Sequence, residues 1–348
     1  MTTSVGIAFT PFEDRVEVIE RSAVLAEKRG FASVGVAEVM TLAAPIVLAR
    51  LAERTERIGL VSGVLSVWSR TPATLALTAA ELQRATGGRF VLGLGSSTAP
   101  ITEGFHAQPW QTPLRKLRDT LVAVRALLNG GRVPELPDGV RPLRLGCPPT
   151  VPVPIALAAI TPPSIRLAGA LAERWLPFLL PPAALDAGRE LMAGAATRTR
   201  RTDAATITAS VPVALGPDRG AAARIAARWL LTYATRMGPL YPKTLRGHGY
   251  HRELDALVDA NPNPHQARLP PAAERLAHDV LFYGTYDEVP ELCQKWHKHA
   301  DDLALVAPFG VPAEQITDTI EAISSAVTEH SCSADISAAI GALRVGSM

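Results

Sequence analysis

The run from Ile58 to Ser97, IGLVSGVLSVWSRTPATLALTAAELQRATGGRFVLGLGSS, limits the possible folds more than any other part of the chain. Ile58 to Leu65 is apolar and β-branched with no interior proline, the pattern of a buried strand. Thr71-Pro72 reads as a helix start, with a hydroxyl at the N-cap and proline in the first turn. The alanine- and leucine-rich segment Thr71–Ala85 continues as a helix, and Gly87-Gly88 supplies a left-handed stop. A second strand, Phe90–Gly93, runs directly into Gly93-Leu94-Gly95-Ser96-Ser97. A parallel β-α-β unit ending in small residues lets a ligand approach the backbone closely, and here it adds two hydroxyls. A phosphate-bearing cofactor fits such a loop.

The same alternation runs through the whole chain. Strands are predicted near Val5–Phe9, Ser33–Ala37, Ile58–Leu65, Phe90–Gly93, Pro154–Ala158, Trp175–Leu179, Thr206–Ala214 and Leu303–Val306. Helical patterns separate them: in Val16–Arg29, for instance, Val16, Ile19, Ala23 and Ala26 share a face, and Gly30 closes the segment. Eight strands alternating with helices predict an α/β fold of the single-domain (β/α)8 TIM-barrel type. A length of 348 residues suits one such barrel. The rival, a doubly wound sheet, would carry G-x-G-x-x-G after its first strand, where this chain has Phe9-Thr10-Pro11-Phe12. Two stretches break the rhythm and are predicted as irregular insertions, 129–152, with six prolines, and 237–271. Each either covers the site or is a solvated surface loop. The barrel is expected to occupy 1–330, and 331–348 to form a C-terminal tail, helical or disordered.

Charge excludes some functions. A formal net charge of +2 gives no reason to expect nucleic acid or an anionic membrane as partner. No uncharged apolar stretch reaches the roughly 18 residues of a membrane span. The N-terminus shows no charged segment followed by a long apolar run, so no signal peptide is expected. Cys147, Cys293 and Cys332 lack metal-ligand spacing and read as free thiols in a reducing cytoplasm. There is no H-x-H after the first strand, no carboxylate set for a metal and no G-x-S-x-G elbow, so no metal centre is expected.

A barrel places its chemistry at the C-terminal ends of its strands. The residues found there are mainly aromatic, aliphatic and hydroxylic, a lining that suits a flat cofactor with a phosphate tail. Glu38 stands alone after the second strand, as a site acid or as a satisfied surface carboxylate. His106 lies in the aromatic loop EGFHAQPW, as a catalytic or a structural histidine. Arg70 reads as a helix cap or as a ligand for a tail carboxylate, the cap being favoured. The glycines of Gly93-Leu94-Gly95 either admit a ligand or permit tight packing. Trp68, Trp110 and Trp175 are taken as core or rim packing, while Tyr241, His248 and Tyr250 are candidates to reach a substrate.

Taken together, VAE (Val36–Glu38), SGVLSVWSRTPA, GGRFVLGLGSS, EGFHAQPWQTPLRKLRD, VPIALAAITPPSIRLAGALAERWLP and YGTYDEV resemble the luciferase-like monooxygenase superfamily. Within it the chain is similar to the coenzyme F420-dependent branch of methylenetetrahydromethanopterin reductases. The resemblance implies a homodimer of (β/α)8 barrels acting on a small-molecule organic substrate, with F420 or, alternatively, FMN at the strand C-termini. It implies a non-prolyl cis peptide at Gly63-Val64, followed by Leu65, lying against the cofactor ring. It also implies phosphate contacts from Gly95, Ser96 and Ser97, shared with Ala159, Ile160 and Thr161, and an acidic group near the ring at Glu38. The expected activity is hydride transfer between deazaflavin and substrate. The alternatives are a reduced-flavin monooxygenase using O2, and a barrel without redox chemistry that binds a ligand or catalyses another reaction. The third is motivated by Thr161, where the family often has glycine, and by Glu173-Arg174.

Overall fold

Along most of the strands, large apolar residues packed against the helices alternate with smaller ones that face the barrel's interior. The computed structural model describes residues 4–134, 136, 138–263 and 267–325. In β1 (Ser4–Phe9), Val5, Ile7 and Phe9 are fully buried, while Ser4 and Ala8 border the barrel's interior. The pattern repeats in β2 (Ser33–Val36) and β3 (Gly59–Ser62), where Ser33, Gly35, Gly59 and Val61 face that interior. The other barrel strands are β5 (Phe90–Gly95), β6 (Ile155–Ala158), β7 (Arg174–Leu176), β8 (Thr206–Gly216) and β10 (Asp302–Val306). All neighbours are parallel, and β10 pairs with both β8 and β1, which makes a closed (β/α)8 barrel. The third strand is interrupted at Gly63-Val64 and resumes as β4 (Leu65–Ser66), which pairs with β5.

The outer helices start and stop where the sequence predicts. α1 (Val16–Lys28), α2 (Ala44–Arg54) and α3 (Pro72–Ala85) follow the first three strands. The Thr71 hydroxyl accepts the Thr74 N–H at 3.2 Å, and Gly87 and Gly88 end the turn with φ of +61° and +95°. A short α4 (Ala99–Gly104) precedes α5 (Pro113–Leu128). Then come α6 (Pro162–Leu171), α7 (Pro182–Arg198) and α8 (Arg219–Thr235), and a helix over 313–325 completes the ring. No helix among the described residues is long and apolar enough to cross a membrane.

The insertion at 129–152 has no regular element among its described residues, as its prolines predict. The stretch 237–271 differs from expectation, because it contains α9 (Leu240–Gly247) and α10 (His251–Asp259). Pro239 and Pro242 fall at the start of α9, where the missing N–H groups have no intrahelical partner to lose. Leu254 and Leu257, three apart, bury one face of α10. β8 is also longer than a barrel strand needs. Its second half, Val213–Gly216, overshoots the rim and pairs with β9 (Phe282–Thr285), a strand the sequence reading did not contain. Between β9 and its neighbours lie α11 (Glu274–Val280) and α12 (Val289–His297). The tail predicted for 331–348, and Cys332 with it, lie outside the described residues; Cys147 and Cys293 are free thiols.

One half-buried carboxylate ties a helix to the barrel. Glu27 Oε1 accepts the N–H groups of Glu56, Arg57 and Ile58 at 2.9, 2.7 and 2.9 Å, joining α1 to the approach of β3. Burial alone would raise its pKa, but those three donors outweigh it, and the carboxyl sits below the ordinary range. A lowered carboxylate pKa adds stability above the unfolded-state value, and that stability is lost as pH falls through the folded value. Glu27→Ala is therefore expected to lower unfolding free energy at neutral pH by about 1 kcal/mol, a modest figure because water screens the site. Denaturant midpoints of variant and wild type should converge below about pH 4; a gap unchanged down to pH 3 would contradict this role.

Candidate functional site

A cavity of about 640 Å³ opens at the C-terminal ends of the strands and continues into the barrel. Its first wall is the interruption between β3 and β4. The Gly63–Val64 peptide is cis, and both residues border the cavity. The backbones here are in direct contact. A Cβ on Gly93 would lie 1.8 Å from the Ser62 carbonyl oxygen, and one on Gly95 would lie 2.6 Å from Val64 Cγ2. The glycines of G-L-G are thus required by packing, and that packing holds Val64 at the cavity surface. Leu65 is fully buried and does not border the cavity.

The loop after β5 forms the polar end. Ser96, Ser97 and Thr98 all line the cavity, and Ser97 adopts φ of +60°. Trp68 Nε1–H donates to the Ser96 carbonyl at 2.9 Å, and Trp68 packs on Trp110 with ring centroids 5.6 Å apart. The Thr98 and Thr102 hydroxyl oxygens are themselves buried and have no hydrogen-bond partner among the described residues, so the polar surface at this end comes from Ser96, Ser97 and the loop backbone. Ala159, Ile160 and Thr161 line the opposite side of this end. Thr161 is already engaged, since its N–H and hydroxyl meet the Ser164 hydroxyl at 3.2 and 2.8 Å. Pro162 and Pro163 carry no N–H, so donors for an anion concentrate in the β5 loop.

Glu38 borders the cavity but is not isolated. Both its oxygens take guanidinium N–H groups of Arg70, one at 3.0 Å, and Oε2 also accepts the Ala44 N–H at 3.0 Å. This corrects the reading of Arg70 as a helix cap; the carboxylate itself serves the start of α2. The pair joins the ends of β2 and β4 to α2 with only 11% and 21% of the Glu38 and Arg70 side chains exposed. His106 is not brought to the cavity; half-buried after α4, it packs edge-on against Phe105 at 5.1 Å.

The far side of the cavity is aromatic, and most of it was not legible in the sequence. Phe178, Tyr233 and Tyr241 line it, with Phe178–Tyr233 and Tyr233–Tyr241 centroids 4.9 and 4.8 Å apart. Tyr233 comes from the end of α8. The overshoot of β8 starts α8 above the rim, so its second half lies at cavity level, where Trp229 Nε1–H donates to Val213 O at 2.9 Å. Burial pushes the Tyr241 hydroxyl to about 12 and also raises Tyr233, whose neighbour Tyr241 adds to the shift. Both phenols are neutral donors at physiological pH. Of the other candidates, His248 does not line the cavity, and neither does Tyr250, whose hydroxyl donates to Asp279 at 2.9 Å. No group of three or more His, Cys, Asp or Glu among the described residues is arranged to hold a metal.

Separating Glu38 from Arg70 leaves a charge in a poorly hydrated place. Arg70→Ala and Glu38→Ala are each expected to cost about 1–3 kcal/mol of unfolding free energy. The double variant should cost clearly less than the sum of the singles, because the two act as one unit. Additive losses in chemical denaturation would show that the contact is not energetically coupled.

The comparisons agree with this geometry. The model of the luciferase-like monooxygenase family matches residues 3–303. A Mycobacterium tuberculosis protein named as a coenzyme F420-dependent oxidoreductase is 28% identical over 319 residues, 84% of this chain and 90% of the relative. Among solved structures, the coenzyme F420-dependent tetrahydromethanopterin reductase of Methanopyrus kandleri superposes with a TM-score of 0.76 at 20% identity, over 95% of this chain and 99% of that one. The oxygenating component of 3,6-diketocamphane monooxygenase of Pseudomonas putida, solved with FMN, gives 0.65 at 19% identity, over 93% and 96%. A barrel interrupted at Gly63-Val64, with a hydroxyl loop after β5 and a family match across most of its length, identifies the chain as a member of the luciferase-like monooxygenase family and an oxidoreductase of that type.

Proposed function

We propose that this protein is an F420-dependent oxidoreductase that transfers hydride between the deazaflavin and a small organic substrate. The observation that carries the reading is the two-ended cavity. One end has the loop of Ser96, Ser97 and Thr98, the other has neutral phenols among aromatic rings, and Val64 also lines the cavity. When bound, F420 would supply two-electron hydride chemistry at its ring. The chain's residues do the rest. Ser96, Ser97 and Thr98 receive the phosphate, with Trp68 fixing the loop backbone. Val64, held by Gly93 and Gly95, backs the ring. Glu38 and Arg70 keep the two neighbouring loops in place. Tyr233 and Tyr241 offer hydrogen bonds to a substrate oxygen in a pocket whose aromatic walls exclude water. The relative named as a coenzyme F420-dependent oxidoreductase, matched over 90% of its length, supports the choice of F420.

Titration of the purified protein with F420 and, separately, FMN tests the reading. The expected result is deazaflavin fluorescence quenching with a dissociation constant in the micromolar range or below, and weaker binding of FMN. Tighter FMN binding with flavin-dependent oxygen consumption would replace this function with a monooxygenase. Failure of both to bind would favour a barrel without redox chemistry.

The hydroxyl loop has its own test. Ser96→Asp with Ser97→Asp puts two negative charges where the phosphate is proposed to lie, so F420 affinity should fall more than about a hundredfold while the fold persists. The corresponding pair of alanines should cost only about 1–3 kcal/mol of binding, because backbone donors remain. A folded double-aspartate variant with unchanged affinity would place the phosphate elsewhere.

A further inference from the structure

A second concavity, of about 380 Å³, lies outside the barrel between α5, α6 and α7. Four arginines surround it: Arg115 and Arg118 from α5, Arg166 from α6 and Arg198 from α7. Leu114 and Leu167 contribute to its apolar lining. One nearby carboxylate, Asp119, pairs with Arg115 at 3.4 Å and Arg118 at 2.7 Å. Arg166 and Arg198 have no hydrogen bond or ion pair among the described residues, so the groove keeps an excess of positive charge.

The groove is not remote from the main cavity. Leu114 borders both, and Pro163, at the groove, follows the cavity-lining Thr161 by two residues. From Pro163 to Ala170 it follows α6 for roughly 10 Å at 1.5 Å of rise per residue. An anion leaving the polar end of the cavity past Leu114 would therefore enter a field of four guanidinium groups, a donor set that matches planar carboxylates. The two candidate cofactors differ in this respect. FMN ends at its phosphate, whereas F420 continues beyond it as a chain of linked glutamates.

We infer that the arginine groove binds the polycarboxylate tail of the cofactor, which makes it a site that selects F420 over FMN after the phosphate is in place. The inference rests on the F420 reading of the main cavity. The apolar lining accommodates the methylene spacers between carboxylates, and the arginines bind the carboxylates themselves. Because the groove is open to water, its effect is screened by salt and is spread over several contacts.

The test compares dissociation constants by fluorescence for F420 with a single glutamate, F420 with a tail of several glutamates, and FMN. It uses the wild type and the double variant Arg166→Glu, Arg198→Glu. Both positions are exposed and helical, and circular dichroism with thermal melting confirms that the variant is folded. The wild type should bind the long-tailed form about tenfold more tightly than the short one, with the gap shrinking in 0.3 M salt. In the variant the gap should vanish while the short-tailed form and FMN keep their affinities. Should the charge reversal unfold the protein, Arg166→Gln with Arg198→Gln is expected to narrow the same gap. Equal affinity of the wild type for both tails, or a gap that survives removal of the arginine charges, would overturn the tail site and leave the F420 function standing. Absence of binding by every F420 form would instead overturn the function, and this inference with it.

Discussion

The contact between the third and fourth barrel strands leaves no room for a side chain. With the Ser62 carbonyl 1.8 Å from where a Gly93 Cβ would sit, only glycine permits the two backbones to lie as they do. The Ser62 hydroxyl completes the contact by accepting the Gly93 N–H at 2.8 Å and donating to the Gly93 carbonyl at 3.1 Å. These hydrogen bonds satisfy both the N–H and the carbonyl of the buried Gly93, which would otherwise be costly in so apolar a place. Everything at the cavity's first wall follows: Gly95 yields space to Val64, Val64 reaches the cavity, and the loop to Ser97 leaves the sheet at a fixed angle.

The opposite wall depends on a different constraint, the length of β8. A strand that stopped at the rim would start α8 at the rim and carry Tyr233 far below the opening. Because β8 runs eleven residues and is capped by β9, the last turns of α8 face the cavity instead. Phe178, Tyr241 and Phe309 then have an aromatic surface to pack on, with Trp229 and Phe309 centroids 4.9 Å apart. Hydrophobic burial and edge-on ring contacts hold this wall, whereas hydrogen bonds hold the other.

The fold was largely readable because its signals are local. Alternation of β-branched and small residues marks the strands, and Thr71-Pro72 and Gly87-Gly88 mark the ends of α3 within a few residues of where they act. The site was less readable because its contacts are long-range. Glu38 and Arg70 are separated by 32 residues, and nothing near either names the other. Tyr233 reads as one more helical residue until the overshoot of β8 is known. His106 has the composition of a site loop, yet it packs on its neighbour Phe105. The two helices within 237–271 were hidden by prolines and glycines, although the apolar spacing of Leu254 and Leu257 is visible in retrospect.

The distribution of donors gives the cavity a direction. At the start of α6, two prolines remove the N–H groups that a helix N-terminus ordinarily offers an anion, and Ser164 consumes what Thr161 has left. The loop after β5 keeps Ser96 and Ser97 at the cavity surface, Ser97 in the left-handed region. An anion would consequently be drawn to the β5 side, toward α5. That is also the side on which Leu114 links the cavity to the arginine groove. At the phenol end, burial keeps both hydroxyls protonated. A ligand with one anionic and one flat, weakly polar end therefore has a single favourable orientation, set by backbone chemistry at one pole and by desolvation at the other.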